Sequence, residues 1–201
     1  MTRDPRHLVP PEGLVTMALG LGSNIGDRLG YLRRALLTLL EHPEITITSY
    51  SRLYESEYVG PGEQAPYLNL VCLGQTSLAP MALLALAKAE ERRLGREPGG
   101  HMQPRTLDLD ILLFGDHCGA DDLLTLPHPR LAERGFVLAP LAELAPSTVL
   151  PDSGETVEAA WARIRDLDGP WLHPLAEDIV GRGAAAGSEE EWRAALAVHC
   201  R

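Results

Sequence analysis

The order of apolar segments constrains the fold of this chain more than any other feature of its sequence. Short apolar runs predict strands, and leucines that recur on one face predict helices. The predicted elements are, in chain order, a strand at Leu14–Leu21, a helix at Asp27–His42, strands at Ile45–Tyr54 and Tyr67–Gln75, a helix ending at Arg93 and a strand at Thr106–Phe114. This order is typical of a ferredoxin-like α/β sandwich. We therefore expect an α+β fold with a mostly antiparallel sheet and helices packed on it.

The segments outside these elements divide the chain into three parts. Residues 1–13 carry three prolines and form a predicted flexible leader, and residues 14–165 form one folded domain. Residues 166–201 form a C-terminal extension that is expected to be partly helical. Helices are predicted at Glu155–Leu167 and Ser188–Val198. Within the domain, residues 96–105 contain two prolines and two glycines and no hydrophobic period, so this loop is long enough to act as a lid.

The charge balance excludes several classes of function. A net charge of −10 disfavours a general affinity for nucleic acid or for an anionic membrane surface. Lys88 is the only lysine, and it lies in an Ala/Leu/Glu stretch rather than at the end of a glycine-rich turn, which excludes a P-loop. Phosphate chemistry in this chain therefore depends on arginine or on metal ions.

The cysteines and the hydropathy indicate a cytoplasmic protein. Cys72, Cys118 and Cys200 form no CxxC pair, so the sequence supports neither a zinc ribbon nor a disulfide framework. The sequence has no apolar run of 18 residues, and its first residues lack the apolar stretch of a signal peptide. We expect no membrane association, and reduced thiols.

Two acids at the start of the last predicted strand are the strongest indication of chemistry. Asp108 and Asp110 are two residues apart, so on a strand both carboxylates project from one face, roughly 6–7 Å apart. The same face continues to Leu112 and Phe114, and the opposite face carries Leu107, Leu109 and Ile111. Paired carboxylates repel each other, and a bound cation resolves this, so two Mg²⁺ ions would suit phosphoryl-type transfer. The alternative is a solvated strand end with surface acids.

Arginines occur near these acids in the sequence. Arg105 precedes Asp108 by three residues, Arg96 opens the lid loop, and Arg134 follows His128. Guanidinium groups neutralise phosphate oxygens with bidentate geometry. Each arginine alone is also compatible with a solvated surface, and His128 with a turn residue bonded to the backbone.

A flat heteroaromatic ligand has candidate partners on the strand before the second helix. Tyr67 and Asn69 share one face of that strand, so the ring can stack on Tyr67 while the Asn69 amide binds its edge. Phe136 is a candidate for the other side of the stack. The sequence is equally compatible with a structural interpretation, in which Tyr67 and Phe136 lie in the core and Asn69 lies at a strand end.

The glycine-rich segment after the first strand does not predict a dinucleotide site. Gly20–Gly26 has the pattern GxGxxxG rather than GxGxxG. The acid expected at the end of the next strand is also missing, since Glu44 lies beside Pro43, ahead of that strand.

Four runs together resemble the 6-hydroxymethyl-7,8-dihydropterin pyrophosphokinase family of folate biosynthesis. They are ALGLGSNIGDR, YLNLV, PRTLDLDILLFG and LPHPRLAERGFVLAPLAELAP, within residues 15–152. The resemblance implies an α+β fold in which ATP and the pterin bind side by side. It also implies transfer of pyrophosphate from ATP to the pterin hydroxymethyl group, with release of AMP.

The resemblance assigns roles by position. It implies two Mg²⁺ ions on Asp108 and Asp110. The implied ATP site comprises Glu91, Arg96, Arg105, Ile111, Thr125, His128 and Arg134. The implied pterin site comprises Ser56, Val59, Tyr67, Asn69, Asp108 and Phe136. The implied catalytic residues are Arg96, Arg105, Asp110 and Arg134, and we hypothesise that Asp110 helps to accept the hydroxyl proton.

The sequence departs from the family pattern in the lid and beside the histidine. Pro98 replaces a second arginine, Met102 and Pro129 replace aromatic residues, and the lid is one residue shorter than in some relatives. We expect an active enzyme with a differently shaped lid. The competing hypotheses are a non-catalytic pterin or nucleotide sensor and a γ-phosphoryl kinase on the same fold. A monomer is expected, with contact to neighbouring folate enzymes as an option.

Overall fold

The computed structural model describes residues 13–96, 103–168, 172–175 and 179. The strands are β1 (Val15–Ser23), β2 (Ile45–Tyr50), β3 (Tyr54–Ser56), β4 (Tyr67–Thr76), β5 (Asp108–Phe114), β6 (Gly119–Ala120), β7 (Thr125–Leu126) and β8 (Leu172–Pro174). The α-helices are α1 (Arg28–Glu41), α2 (Pro80–Arg93), α3 (Gly135–Leu144) and α4 (Val157–Asp168), and a 3₁₀ turn spans Leu131–Glu133. None of these helices is long and apolar enough to cross a membrane.

The main sheet has the topology that the element order predicts. Its strands lie in the order β5-β1-β4-β3-β8, and β2 pairs with the part of β4 that β3 leaves free. All of these pairings are antiparallel. Strands β6 and β7 form a separate two-stranded ladder. The predicted α+β ferredoxin-like sandwich is therefore confirmed.

The predicted strand Ile45–Tyr54 is interrupted, which corrects the sequence analysis. It ends as β2 at Tyr50, and β3 begins at Tyr54. At the break, the side-chain oxygen of Ser51 accepts a hydrogen bond of 3.0 Å from the Val71 N–H. A side chain thus takes the place of a main-chain acceptor, and this local competition ends the ladder.

The sheet has an apolar layer on each face. Helices α1 and α2 cover one face, where Leu19, Leu21 and Ile111 are buried. Helix α3 covers the other face, where Val71 and Leu112 are buried, and α4 packs on α3. On this second face β1 contributes only small residues, and a Cβ at Gly20 would lie 3.3 Å from the Leu112 side chain. The missing side chains of β1 leave room for a cavity beneath α3.

A β-bulge in β5 corrects the predicted alternation. Leu19 pairs with Ile111 and Ala18 with Leu113, so Leu112 has no partner on β1. An extra residue reverses the alternation beyond it. Phe114 therefore lies in the core under α1 and α2, not on the face of Asp108. The Leu112 carbonyl accepts a hydrogen bond of 2.9 Å from the His128 N–H, and this bond holds His128 beside the acids.

The described part of the C-terminal extension adds a strand to the sheet. Helix α4 corresponds to the helix predicted at Glu155–Leu167, and β8 pairs with β3. Ile179 is fully buried (0% exposed) in the core under α1 and α2. The predicted helix at Ser188–Val198 and almost all of the predicted leader lie outside the described residues.

Candidate active site

A cavity of about 260 Å³ lies over β5, β1 and β4, between the sheet and the start of α3. Its floor includes the bare backbone of Gly20 and Gly22 on the central strand β1. Asp110 and Asp108 lie opposite these glycines on β5, and Asn69 lies opposite Gly22 on β4. The predicted residues that line the cavity are Ser56, Val59, Tyr67, Asn69, Arg105, Asp108, Asp110, Arg134 and Phe136.

The two acids are partly withdrawn from water. The side chains of Asp108 and Asp110 are 21% and 31% exposed. Burial raises the pKa of Asp110, and the negative charge of Asp108 raises it further. Burial also opposes ionisation of Asp108, but the positive charges of Arg105 and Arg96 outweigh it and hold the pKa of that carboxyl below its ordinary value. The charge of Asp108 is thus neutralised by Arg105 and Arg96, whereas Asp110 lines the cavity beside the negative charge of Asp108.

Two arginines share one oxygen of Asp108. The Oδ1 atom accepts hydrogen bonds of 2.8 Å from Arg96 and 2.6 Å from Arg105. Burial favours the neutral form of Arg105, yet the charge of Asp108 raises the pKa of the guanidinium above its ordinary value. Two of the three arginines that the sequence analysis placed near the acids, Arg96 and Arg105, are therefore in direct contact with Asp108.

Glu91, on helix α2, forms an ion pair with Arg96. Its carboxylate is 3% exposed and lies 2.5 Å from Arg96 and 2.8 Å from Lys88. It also accepts a hydrogen bond of 3.0 Å from the Leu109 N–H. The structure thus places Glu91 against β5 as a partner of Arg96. That contact follows from the packing of α2 under β5, which no local sequence signal indicates.

His128 and Arg134 complete the charged end. His128 Nε2 lies 3.9 Å from Asp110 Oδ2. Its Nδ1 accepts a hydrogen bond of 3.2 Å from the Arg130 N–H, which assigns the proton of the neutral ring to Nε2. Burial and the charge of Arg134 lower the pKa of His128 to about 4. Burial and the charge of Arg130 lower the pKa of Arg134.

The other end of the cavity is neutral. Asn69 Nδ2 donates a hydrogen bond of 2.9 Å to Ser56 Oγ and one of 3.4 Å to the Tyr54 carbonyl. These bonds orient the amide, and Asn69 Oδ1 lies against Gly22, where an added Cβ would be 3.1 Å away. Burial raises the pKa of Tyr67, and the charge of Asp108 adds to the effect. Asn69 Oδ1 and the Tyr67 ring lie beside each other, both against Gly22.

Phe136 and Val59 occupy the borders of this neutral end. The Arg134 guanidinium lies 5.5 Å from the Phe136 ring centroid, so this ring joins the neutral and charged ends. Val59 is 70% exposed at the rim.

Five predicted ATP-site residues do not line the cavity: Glu91, Arg96, Ile111, Thr125 and His128. Of these, Arg96 and His128 still lie beside Asp108 and Asp110. Ile111 is buried in the core on the opposite face of β5, so only its main chain can meet a ligand. Thr125 lies on β7, where it pairs with Ala120. Among the departures from the family pattern, Pro129 is exposed beside His128, and Pro98 and Met102 lie outside the described residues.

The sequence analysis missed a buried link between the two ends. Asn24 is 2% exposed, and its Oδ1 accepts a hydrogen bond of 2.7 Å from the Arg105 N–H. Its Nδ2 donates to Gln64 Oε1 at 2.9 Å and to the Ala65 carbonyl at 3.3 Å. Asn24 thus connects the segment of Arg105 with the loop that carries Val59. Its place directly after β1 was the available signal.

The acid pair suits Mg²⁺ better than a metal held by protein ligands alone. The described residues contain no group of three or more His, Cys, Asp or Glu side chains that could hold a metal ion. Mg²⁺ is commonly bound by one or two carboxylates together with substrate phosphates and water. Asp108 and Asp110, in a cavity that Arg105 and Arg134 also line, fit that pattern.

Comparison with known proteins identifies the family. Residues 18–146 match the family described as 7,8-dihydro-6-hydroxymethylpterin-pyrophosphokinase. A 2-amino-4-hydroxy-6-hydroxymethyldihydropteridine pyrophosphokinase of Bacillus subtilis is 48% identical over 126 residues, which are 63% of this chain and 75% of that protein. A mitochondrial folate synthesis bifunctional protein of Arabidopsis thaliana is 44% identical over 137 residues, which are 68% of this chain and 24% of that protein.

The fold agrees with the same assignment. A crystal structure of Plasmodium falciparum HPPK-DHPS superposes with a TM-score of 0.64 at 15% identity, covering 86% of this chain and 47% of that one. The likeness at this identity concerns the fold alone, and the sequence matches carry the family. The chain belongs to the 7,8-dihydro-6-hydroxymethylpterin-pyrophosphokinase family.

Proposed function

We propose that this chain transfers pyrophosphate from ATP to the hydroxymethyl group of 6-hydroxymethyl-7,8-dihydropterin, giving AMP and the pterin diphosphate, in tetrahydrofolate biosynthesis. The observation that carries the proposal is the division of one cavity into a neutral end and a charged end. Asn69 and Tyr67 lie at the neutral end, and Asp108 and Arg105 lie at the charged end. A pterin and a polyphosphate require this combination side by side.

The neutral end suits the pterin ring. Tyr67 and Phe136 supply aromatic surface, and Asn69 Oδ1 supplies an acceptor for an N–H on the ring edge. Because Ser56 and the Tyr54 carbonyl occupy Asn69 Nδ2, the amide does not need to reorient when the ligand enters. A ligand with an acceptor at that edge would place two oxygen or nitrogen acceptors against each other. Asn69 Oδ1 therefore favours a ligand edge that carries N–H groups, such as the amino edge of the pteridine.

The charged end suits the phosphates of ATP. Arg96, Arg105 and Arg134 supply guanidinium donors, and neutral His128 supplies an Nε2–H. Arg96 and Arg105 neutralise Asp108. The incoming phosphates compete for these guanidiniums, which frees the Asp108 carboxylate for a cation. We propose that Asp108 and Asp110 would hold Mg²⁺ together with the substrate phosphates.

The proposed reaction is a displacement at the β-phosphorus. The pterin hydroxymethyl oxygen forms a bond to that phosphorus, and the bond to the oxygen shared with the α-phosphorus breaks, so AMP leaves. Bound Mg²⁺ would supply neutralisation of charge on the phosphate oxygens. Arg96, Arg105 and Arg134 stabilise charge that develops on those oxygens, and Asp110 helps to accept the hydroxyl proton.

The test is to incubate the full chain with ATP, Mg²⁺ and 6-hydroxymethyl-7,8-dihydropterin and to separate the nucleotides by chromatography. We expect AMP that depends on both the pterin and Mg²⁺. Formation of ADP would establish a γ-phosphoryl kinase and refute pyrophosphate transfer. Binding of both ligands without product would establish the sensor.

Location and partners form the remaining part of the proposal. We propose that the enzyme is a monomer and that it acts in the cytoplasm, where its proposed co-substrate ATP is available. Contact with a neighbouring folate enzyme is supported by the relatives named as bifunctional folate synthesis proteins.

A further inference from the structure

The short strand β3 contributes Ser56 to the neutral end of the cavity and is paired with a strand on each side. On one side Tyr54 pairs with Asn69 and Ser56 with Tyr67 of β4. On the other side Tyr54 pairs with Pro174 and Ser56 with Leu172 of β8. Residues 54–56 thus connect β4, which carries Tyr67 and Asn69, with β8 of the C-terminal extension. Strand β8 lies beyond residues 18–146, which match the family.

The position of β3 controls the orientation of Asn69. Both acceptors of the Asn69 Nδ2 group, Ser56 Oγ and the Tyr54 carbonyl, belong to β3. A shift of β3 by a fraction of an ångström lengthens both bonds together. The amide then loses the constraint that directs its oxygen into the cavity.

Strand β8 is itself fixed to the domain. The Leu175 N–H donates a hydrogen bond of 2.8 Å to the Leu53 carbonyl, directly before β3. Further along, the Ile179 carbonyl accepts a hydrogen bond of 2.8 Å from Arg33 Nε, and the Ile179 side chain is fully buried. Pro174 has no N–H to donate, and it lies at the non-hydrogen-bonded pair next to Leu175, where none is needed.

We propose that β8 is a positioning element for the pterin: by holding β3, it fixes Asn69 and thereby sets pterin affinity, a role that rests on the function proposed above. The sheet order makes this role selective. Strand β8 lies at one edge of the sheet, and β5, which carries Asp108 and Asp110, lies at the other. Loss of the β8 contact therefore weakens pterin binding and leaves ATP binding unchanged.

The test compares Leu175→Pro with Leu175→Ala in the full chain. Both variants shorten the same partly buried side chain, but only Leu175→Pro removes the N–H that binds the Leu53 carbonyl. We expect the pterin Kd of Leu175→Pro to exceed that of Leu175→Ala by about threefold to tenfold, the size of one lost hydrogen bond. The pterin KM rises in parallel, and the Kd for ATP and kcat stay unchanged.

Two results would overturn the inference. Equal pterin affinity in the two variants would make β8 a stabilising strand without influence on the site. A parallel loss of pterin and ATP affinity would indicate general destabilisation.

If Leu175→Pro does not fold, Arg33→Met takes its place, because it removes the donor to the Ile179 carbonyl from the surface of α1. The same selective loss is expected, and equal pterin affinity to the parent would again refute the role.

The parent protein separates failure of this inference from failure of the proposed function. A parent that binds the pterin and releases AMP, with variants that do not differ, refutes only the role of β8. A parent that binds no pterin refutes the proposed function and this inference together.

Discussion

The two ends of the cavity are organised by different interactions. At the charged end, Arg96 and Arg105 converge on one oxygen of Asp108, and Glu91 supports Arg96 from the next layer. At the neutral end, Asn69 is oriented by hydrogen bonds to Ser56 and to a main-chain carbonyl. Charged contacts act over several ångströms and tolerate movement, whereas an amide oriented by two neutral hydrogen bonds tolerates little. The charged end is therefore suited to rearrange around phosphates, and the neutral end is suited to select a ligand by fit.

The largest expected effect separates chemistry from binding. Asp110→Asn removes the negative charge that faces the cavity while keeping the shape of the side chain. We expect kcat to fall by about 10²- to 10⁴-fold, because the proposed proton acceptor and the proposed metal ligand are both lost. The pterin Kd stays within a factor of about two, since Asn69 is untouched. Asp122→Asn, at an exposed acid between β6 and β7, is the control. Normal turnover of Asp110→Asn would remove Asp110 from the mechanism.

The second prediction concerns the neutral end. Asn69→Ala removes the acceptor at the proposed pterin site, and we expect the pterin Kd to rise by about tenfold to a hundredfold. The Kd for ATP is expected to stay unchanged, because the hydrogen bonds of Asn69 go to Ser56 and the Tyr54 carbonyl. Calorimetric titration with each ligand measures both values. A loss of ATP affinity of similar size would show that the two ends do not act separately.

A smaller effect tests the link between the ends. Asn24→Ala removes bonds to the Arg105 N–H, Gln64 and the Ala65 carbonyl, so we expect KM for both substrates to rise by about threefold to tenfold. Asn24→Asp keeps the acceptor for the Arg105 N–H and loses the donor to the loop of Gln64. The Asp variant is expected to raise KM for the pterin alone. An effect of Asn24→Asp on ATP alone would contradict this assignment.

The smallest effect concerns stability and not turnover. Burial, with the hydrogen bond from Tyr54 to Glu143, raises the pKa of Tyr54 from 10.0 to about 12. The folded state therefore keeps the proton that the unfolded chain releases near pH 10, so the contribution to stability is complete below pH 10 and is lost as pH rises towards 12. Urea unfolding between about pH 9 and about pH 11 should show a steeper loss for the parent than for Tyr54→Phe. Tyr31→Phe, on α1, is the control, and identical slopes for parent and Tyr54→Phe would refute the prediction.

The parts of the fold and site that the sequence predicted depend on local periodicity. The element order gave the sheet topology, and the spacing of Asp108 and Asp110 placed both acids on one face. The same spacing rule failed at Phe114, because a bulge depends on pairing with β1 and not on β5 alone. Contacts over long separations were also missed, such as Asn24 with Arg105 and Arg33 with Ile179. Such contacts depend on how elements pack, which a pattern within one segment does not contain.

The central claim is that the chain transfers the β- and γ-phosphates of ATP together to the pterin bound beside them. The most direct measurement uses ATP labelled at the β-phosphorus, with Mg²⁺ and 6-hydroxymethyl-7,8-dihydropterin, and follows the label into the separated products. Transfer of pyrophosphate predicts label in the pterin product and unlabelled AMP. Label that stays in the nucleotide while a pterin phosphate forms would contradict it.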